Sequence, residues 1–171
     1  ITNNGPDSGD TLYDTELTQL DISGGTLPSG VVIRESPTRK SLGQTRIQSD
    51  TGGYQIGSFF DIYLEVSTGG SAFVPANSAC TVQVKPDPAL VAVTPLPRPV
   101  LPAPNGQYVG PRQAYGNGVI VKEIRHKLFT DWDVPPAFGV THSHTFNSKL
   151  DFQLSTDGGA TFTAARAPAT V

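Results

Sequence analysis

A single cysteine, Cys80, stands in 171 residues, so no disulfide can close within the chain and no thiolate cluster can hold a metal. Its alternation with Val82 and Val84 marks it as a small buried hydrophobe. Methionine is missing altogether and the chain opens on Ile1, as in a mature product of proteolytic processing or a fragment. No run approaches the ~20 apolar residues of a membrane span, and no long stretch shows the 3.6-residue apolar period of a helix. Also absent are a G-x-S-x-G elbow, a phosphate loop, a dinucleotide fingerprint and a Cys-His pairing, so no enzymatic activity and no cofactor are expected. The acceptor pattern N-x-S/T does not occur, whereas the Thr- and Pro-rich segments leave O-linked glycans open as attached partners. A formal charge of only −3 gives no electrostatic reason to expect nucleic acid or an anionic membrane as partner.

The charge is divided unevenly. Residues 1–84 carry nine Asp/Glu against four Lys/Arg, a net of −5, and residues 85–171 carry six against eight, a net of +2. Opposite signs at opposite ends favour head-to-tail contact, weakly, because exposed charges are screened beyond about 8 Å in physiological salt. Gly 18 and Pro 15 punctuate the chain, and Val, Ile, Thr, Tyr and Phe crowd between them. That is the composition of short strands and tight turns, and the predicted class is all-β.

The chain repeats itself. An offset of 88 carries "VVIRE" (Val31 to Glu35) onto "VIVKE" (Val119 to Glu123), and Ile62, Leu64 and Val66 onto Leu150, Phe152 and Leu154. One inserted residue, Asp157, raises the offset to 89, which carries Gly69-Gly70 onto Gly158-Gly159, Phe73 onto Phe162 and Thr81-Val82 onto Thr170-Val171. Phe60, Ile62, Leu64 and Val66 alternate with Asp61, Tyr63, Glu65 and Ser67, the pattern of a half-buried strand running into a Gly-Gly hairpin. Two tandem immunoglobulin-like β-sandwich domains are expected, 11–85 and 105–171, after an N-terminal arm 1–10. Between them, residues 85–104 hold seven prolines in twenty positions, which predicts an extended, semi-rigid connector or donor segment over 86–104. Within it Ala89, Leu90, Val91, Ala92 and Val93 are apolar and free of proline, a candidate assembly segment.

The second copy reads as incomplete. Leu17, Leu20 and Ile22 open the first copy, but the corresponding stretch from Pro104 to Gly118 is poor strand material. The second copy also stops at Val171, where the first continues through Gln83 and Val84. A sandwich short of a strand exposes backbone and core together, and the usual remedy is a strand supplied from elsewhere.

Side chains able to carry chemistry are few. Ser155, Asp157, Gly159, Thr161 and Phe162 match an Asp-box, S-x-D-x-G-x-T-F/W, a structural hairpin motif, and Gly69, Gly70 and Phe73 form its degenerate copy. His142 and His144 would place two imidazoles on one strand face, with Asp131, Asp133 and Glu123 as further metal ligands if they came near. They read as polar strand or loop residues, and no metal site is expected. His126, between Ile124 and Leu128, reads as a partly buried, hydrogen-bonded histidine. The carboxylate pairs Asp131/Asp133 and Asp61/Glu65 have the residue types of glycoside hydrolysis, and read as solvated turn and strand faces. Trp132 with Phe129, Tyr108 and Tyr115 offers an aromatic platform for sugar rings, although a lone Trp beside Pro135-Pro136 reads more simply as a plug for the sandwich end.

At "IRESPTRKSLGQTRI", "GGYQIGSFFDIYLEVS", "THSHTFNSKLDFQLSTDGGATF" and "RAPATV" the chain resembles repeated segments of large exported proteins of environmental bacteria, of planctomycete and verrucomicrobial types. It is also similar to the protomers of bacterial extracellular helical fibrils, built from tandem sandwich domains joined by strand exchange. The resemblance implies an extracellular or cell-surface location and a structural subunit that polymerises with itself, head to tail, by β-strand complementation. The candidate donors are Ala89 to Val93 and the N-terminal arm before Leu17. The rival expectation is a secreted, monomeric carbohydrate-binding or adhesive module using Trp132, Tyr108 and Tyr115.

Overall fold

The chain's structure, a computed structural model, describes residues 1–7, 10–50, 53–86 and 99–171. The apolar segment Ala89 to Val93 and most of the Pro-rich connector lie outside the described residues. Among those described there is no helix, and every pairing of strands is antiparallel. The strands are β1 (Thr2–Asp7), β2 (Asp10–Leu17), β3 (Asp21–Ser23), β4 (Val32–Glu35), β5 (Ser41–Asp50), β6 (Gly53–Ile62) and β7 (Leu64–Ser67), followed by β8 (Val74–Pro75) and β9 (Cys80–Pro86). The second half supplies β10 (Gly106–Gly110), β11 (Gln113–Ala114), β12 (Ile120–Lys127), β13 (Asn147–Ser155) and β14 (Thr163–Thr170).

The repeat predicted from the sequence is a repeat of register. Val32 stands opposite Ser67 and Ile33 opposite Val66, and at the 88-residue offset Ile120 stands opposite Ser155 and Val121 opposite Leu154. At each hairpin the N–H of a turn glycine donates to the carbonyl of the glycine ahead of the neighbouring strand, Gly69 to Gly30 at 2.9 Å and Gly158 to Gly118 at 3.0 Å. A cation lies over the hairpin aromatic in both copies. The Arg34 guanidinium is 3.7 Å from the Phe73 ring centre and the Lys122 ammonium 3.9 Å from that of Phe162. Such contacts contribute about 0.5–1 kcal/mol at exposed sites and hold the turn against the sheet.

The halves do not form two separately cored sandwiches. In the first half β3, β4, β7 and β8 with β9 lie side by side, and in the second β10 with β11, β12, β13 and β14 do the same. Each set then pairs with the other at both margins. β9 joins β10, with Tyr108 opposite Val84, and Ala76 bridges to Tyr115 just beyond. At the far margin β14 joins β3, with Ala169 opposite Ile22 and Thr170 opposite Asp21. The sheet curls until it meets itself, and one apolar cluster fills the inside, from Ile22, Ile33 and Val66 to Val121, Phe152 and Ala167. The reason is an edge requirement: a four-stranded unit left alone has two rows of unpaired backbone groups, and pairing end to end removes both. The stretch from Pro104 to Gly118 therefore does form strands, contrary to its composition. Pro111-Arg112 merely interrupts one line that faces β12 in a single register, Tyr108 opposite His126 and Gln113 opposite Val121.

A second feature branches from this curl. At Tyr63, between β6 and β7, the backbone leaves the ladder and its N–H donates to Ser41 Oγ at 3.0 Å. Ser41 is fully buried and in turn donates to the Glu35 carboxylate at 2.9 Å. Past this clamp β1, β2, β5 and β6 continue as a flap with a small cluster of its own, Tyr13, Ile47 and Leu101. Residues 1–10, read as an arm, hold strand β1 at the flap's margin, paired with β2 from Thr2 opposite Asp14 to Asp7 opposite Asp10 with a shift of register between Asn3 and Gly5.

The β14 margin depends on Gly25. Its φ is +61°, and a Cβ there would sit 2.1 Å from the Arg166 carbonyl oxygen, whereas a Cβ on Gly24, at φ +72°, would meet nothing. Gly24→Ala is expected to cost about 1 kcal/mol from backbone strain alone, and Gly25→Ala about 2 kcal/mol or more because β3 must move off β14. Urea unfolding of the two variants checks this, and equal losses would remove Gly25 from its assigned role.

Candidate functional site

The second half has one long excursion, from Leu128 to Phe146 between β12 and β13. Leu128 and Asp131 take positive φ, +57° and +62°, which turns the chain sharply out of the sheet. The Trp132 indole N–H donates back to the Phe129 carbonyl at 2.7 Å, and Phe129 is buried between Tyr108, His126 and Phe146. Beyond that root the excursion is fastened at three places. Asp133 exchanges both backbone hydrogen bonds with Leu101, at 2.9 and 3.0 Å. Asn3 donates from its backbone to Val140 and from its side chain to Pro136. His142 donates its backbone N–H to Ile1 at 2.9 Å. Several large apolar side chains remain on its outer surface, among them Trp132 at 53% and Phe138 at 73% exposure.

This fastening brings together three ligand-type residues of the excursion. Asp133, His142 and His144 each present a ligand-type atom within 4.8 Å of the other two. His142 Nε2 is 2.6 Å from Asp133 Oδ2, and the two imidazoles lie 6.2 Å apart, nearly parallel at 19°. Of the carboxylates that the sequence offers as companions, only Asp133 joins the histidines. Asp131 accepts from Thr130 and Asn147, and Glu123 sits in a bulge of β12 accepting from Gln153. The His142 hydrogen bond, then the Val134 backbone N–H, holds the Asp133 carboxyl below its usual range. Burial pushes the His144 imidazole down, with Asp133 opposing. His144 Nε2 is buried and has no hydrogen-bond partner. His142, Ser143 and His144 also form one wall of a cavity of about 120 Å³ whose other walls include Leu17, Phe60 and Leu101.

The other sequence candidates fall elsewhere. Tyr108 and Tyr115 are buried, 8% and 3% exposed, so they cannot stand beside Trp132 as a sugar platform. They pack in the core because Tyr108 lies on the inward face of β10, in edge contact with Phe60 and Phe129. Asp61 accepts from Thr81, and Glu65 is gripped by Arg34 at 2.9 and 3.1 Å, so that carboxylate pair is spent on cross-strand bonds. At the Asp-box hairpin Ser155 Oγ donates to Asp157 and accepts the Gly159 N–H, while Asp157 takes the Thr161 N–H and hydroxyl. These bonds, Ser155's first, hold the Asp157 carboxyl well below the usual carboxylate range. Cys80 is buried, and its thiol is pushed up to about 12, chiefly by burial.

His126 is the one histidine wholly inside. It faces Ser148 Oγ and packs on Phe129 with ring centres 4.9 Å apart, and burial pushes it down to about 3. Unfolding exposes a ring that titrates near 6.5, so the unfolded chain takes up a proton that the fold refuses. The stability tied to neutral His126 is therefore complete above pH 6.5 and is lost as pH falls below it, by up to about 1.4 kcal/mol per pH unit. Urea midpoints measured between pH 7.5 and 5 are expected to fall more steeply for the wild type than for His126→Gln. Parallel slopes would show that the ring is not held neutral.

No protein-family model, no curated protein and no solved structure matches the chain.

Proposed function

We propose that the chain is a structural subunit of a secreted bacterial filament, in which protomers join head to tail by strand complementation between immunoglobulin-like halves. The observation that carries this reading is the margin between β14 and β3. The last strand of the C-terminal half is paired here with Asp21 and Ile22 of the same molecule. That seam is narrow: two registered residue pairs, extended by Thr26 and Arg166, which lie 140 residues apart and exchange two further hydrogen bonds. By contrast β13 and β14 are in register from Asn147 to Leu154.

A seam of this kind can close within one chain or between two with the same contacts. If β3 of one protomer receives β14 of the next, the contact is heterologous and does not close on itself, which generates a fibre. The outer neighbour of β14 is then supplied by another chain through the very pairing that the lone chain makes with itself. The charge division, −5 on residues 1–84 and +2 on 85–171, favours that orientation. The extracellular setting follows from the family resemblance and belongs to the proposal, as do attached glycans. Ala89 to Val93 remain a second donor on sequence grounds.

Cysteines at Asp21 and Thr170, which face each other across the seam, test the reading. After oxidation of concentrated, undenatured protein, non-reducing electrophoresis is expected to give a ladder of covalent oligomers, and electron microscopy to give filaments. Cross-linked monomer alone across the whole concentration range, with compact single particles, would overturn it.

A further inference from the structure

We propose that Asp133, His142 and His144 bind a divalent transition cation of the zinc class, with three protein ligands and the remaining position open. The residue set is of the right kind, since neutral imidazoles and one carboxylate suit zinc and its neighbours in the first transition row. Its geometry is close to what is needed. Tetrahedral ligands about 2.0–2.1 Å from a metal stand roughly 3.3 Å from one another, and the three candidate atoms already lie within 4.8 Å. Side-chain rotations of up to about 1.5 Å, opening the Asp133–His142 contact and drawing His144 in, complete the set, while the backbones of Asp133 and His142 stay pinned by Leu101 and Ile1.

An ordinary ion pair does not explain this cluster. His142 and Asp133 satisfy each other at 2.6 Å, and nothing in that pair calls for a second imidazole laid parallel to the first. His144 Nε2 is nevertheless buried without a partner, and buried polar atoms are otherwise almost always satisfied. A cation shared by the three residues would engage the nitrogen that His144 offers to the cluster. The wall formed by His142, Ser143 and His144 opens on the cavity, so the fourth position is reachable by water or by a small oxygen ligand. Bound metal would tie the excursion 128–146 to its own base, whether or not the chain assembles into filaments.

The test is titration of tag-free, chelator-treated protein with Zn²⁺ at pH 7.4 by calorimetry, with Co²⁺ absorption as an independent readout. The expected result is one equivalent per chain and visible Co²⁺ bands of tetrahedral strength. Asp133→Asn and His144→Gln should each weaken Zn²⁺ at least about tenfold. Asp131→Asn, which removes the same charge from the same loop but no ligand, should leave the affinity unchanged. Circular dichroism confirms that each variant is folded, and His142→Gln replaces any that is not. No saturable binding up to roughly 100 µM Zn²⁺, affinity retained in His144→Gln, or an equal loss in Asp131→Asn would each overturn the assignment.

Discussion

The backbone pairing of β3 with β14 is the constraint on which the rest of the structure depends. Without it the first and second halves each end on unpaired N–H and C=O groups, and the apolar faces of Ile22, Ala167 and Ala169 open to water. With it, one curled sheet encloses one core. Gly25 lets the strands come this close, since any side chain there would strike the opposing carbonyl. That contact is narrow, two registered residue pairs extended by Thr26 and Arg166, and the proposed assembly turns on it.

The long excursion between β12 and β13 belongs to a different economy. Its root is a packed aromatic knot of Phe129, Tyr108, His126 and Phe146, while its outer part is held by backbone bonds to β1 and to Leu101 and keeps Trp132 and Phe138 exposed. Segments fastened by a few backbone bonds over a rigid base are where binding groups commonly sit. Here that segment carries two of the chain's three histidines.

Much of this was legible residue by residue. The period-two run from Phe60 to Ser67 located the end of β6 and all of β7, because alternating burial leaves a direct mark on composition, and the 88-residue match related β4 to β12 and β7 to β13. The 88-residue offset gave the register of both hairpins, and the Ser155-Asp157-Gly159-Thr161 spacing gave the turn, because these are local geometries that few residue types can adopt. The stretch 104–118 was misread, because backbone pairing on both sides overrides weak strand propensity and a strand can run on past Pro111. The aromatic platform was misread for a related reason: proximity of Trp132, Tyr108 and Tyr115 in the chain says nothing about which face of a curled sheet each side chain takes. Asp133 was one of three carboxylates in view, and only the Leu101 bridge singled it out.

The sequence by itself determined the all-β class, the internal duplication and the chemistry of each hairpin, since those follow from short-range patterns of polarity, glycine and proline. Only the tertiary structure decided that the halves share one core, which margins meet, and which carboxylate joins His142 and His144. Those outcomes rest on pairings between residues as much as 140 positions apart, and no local pattern records which distant edge a strand will find.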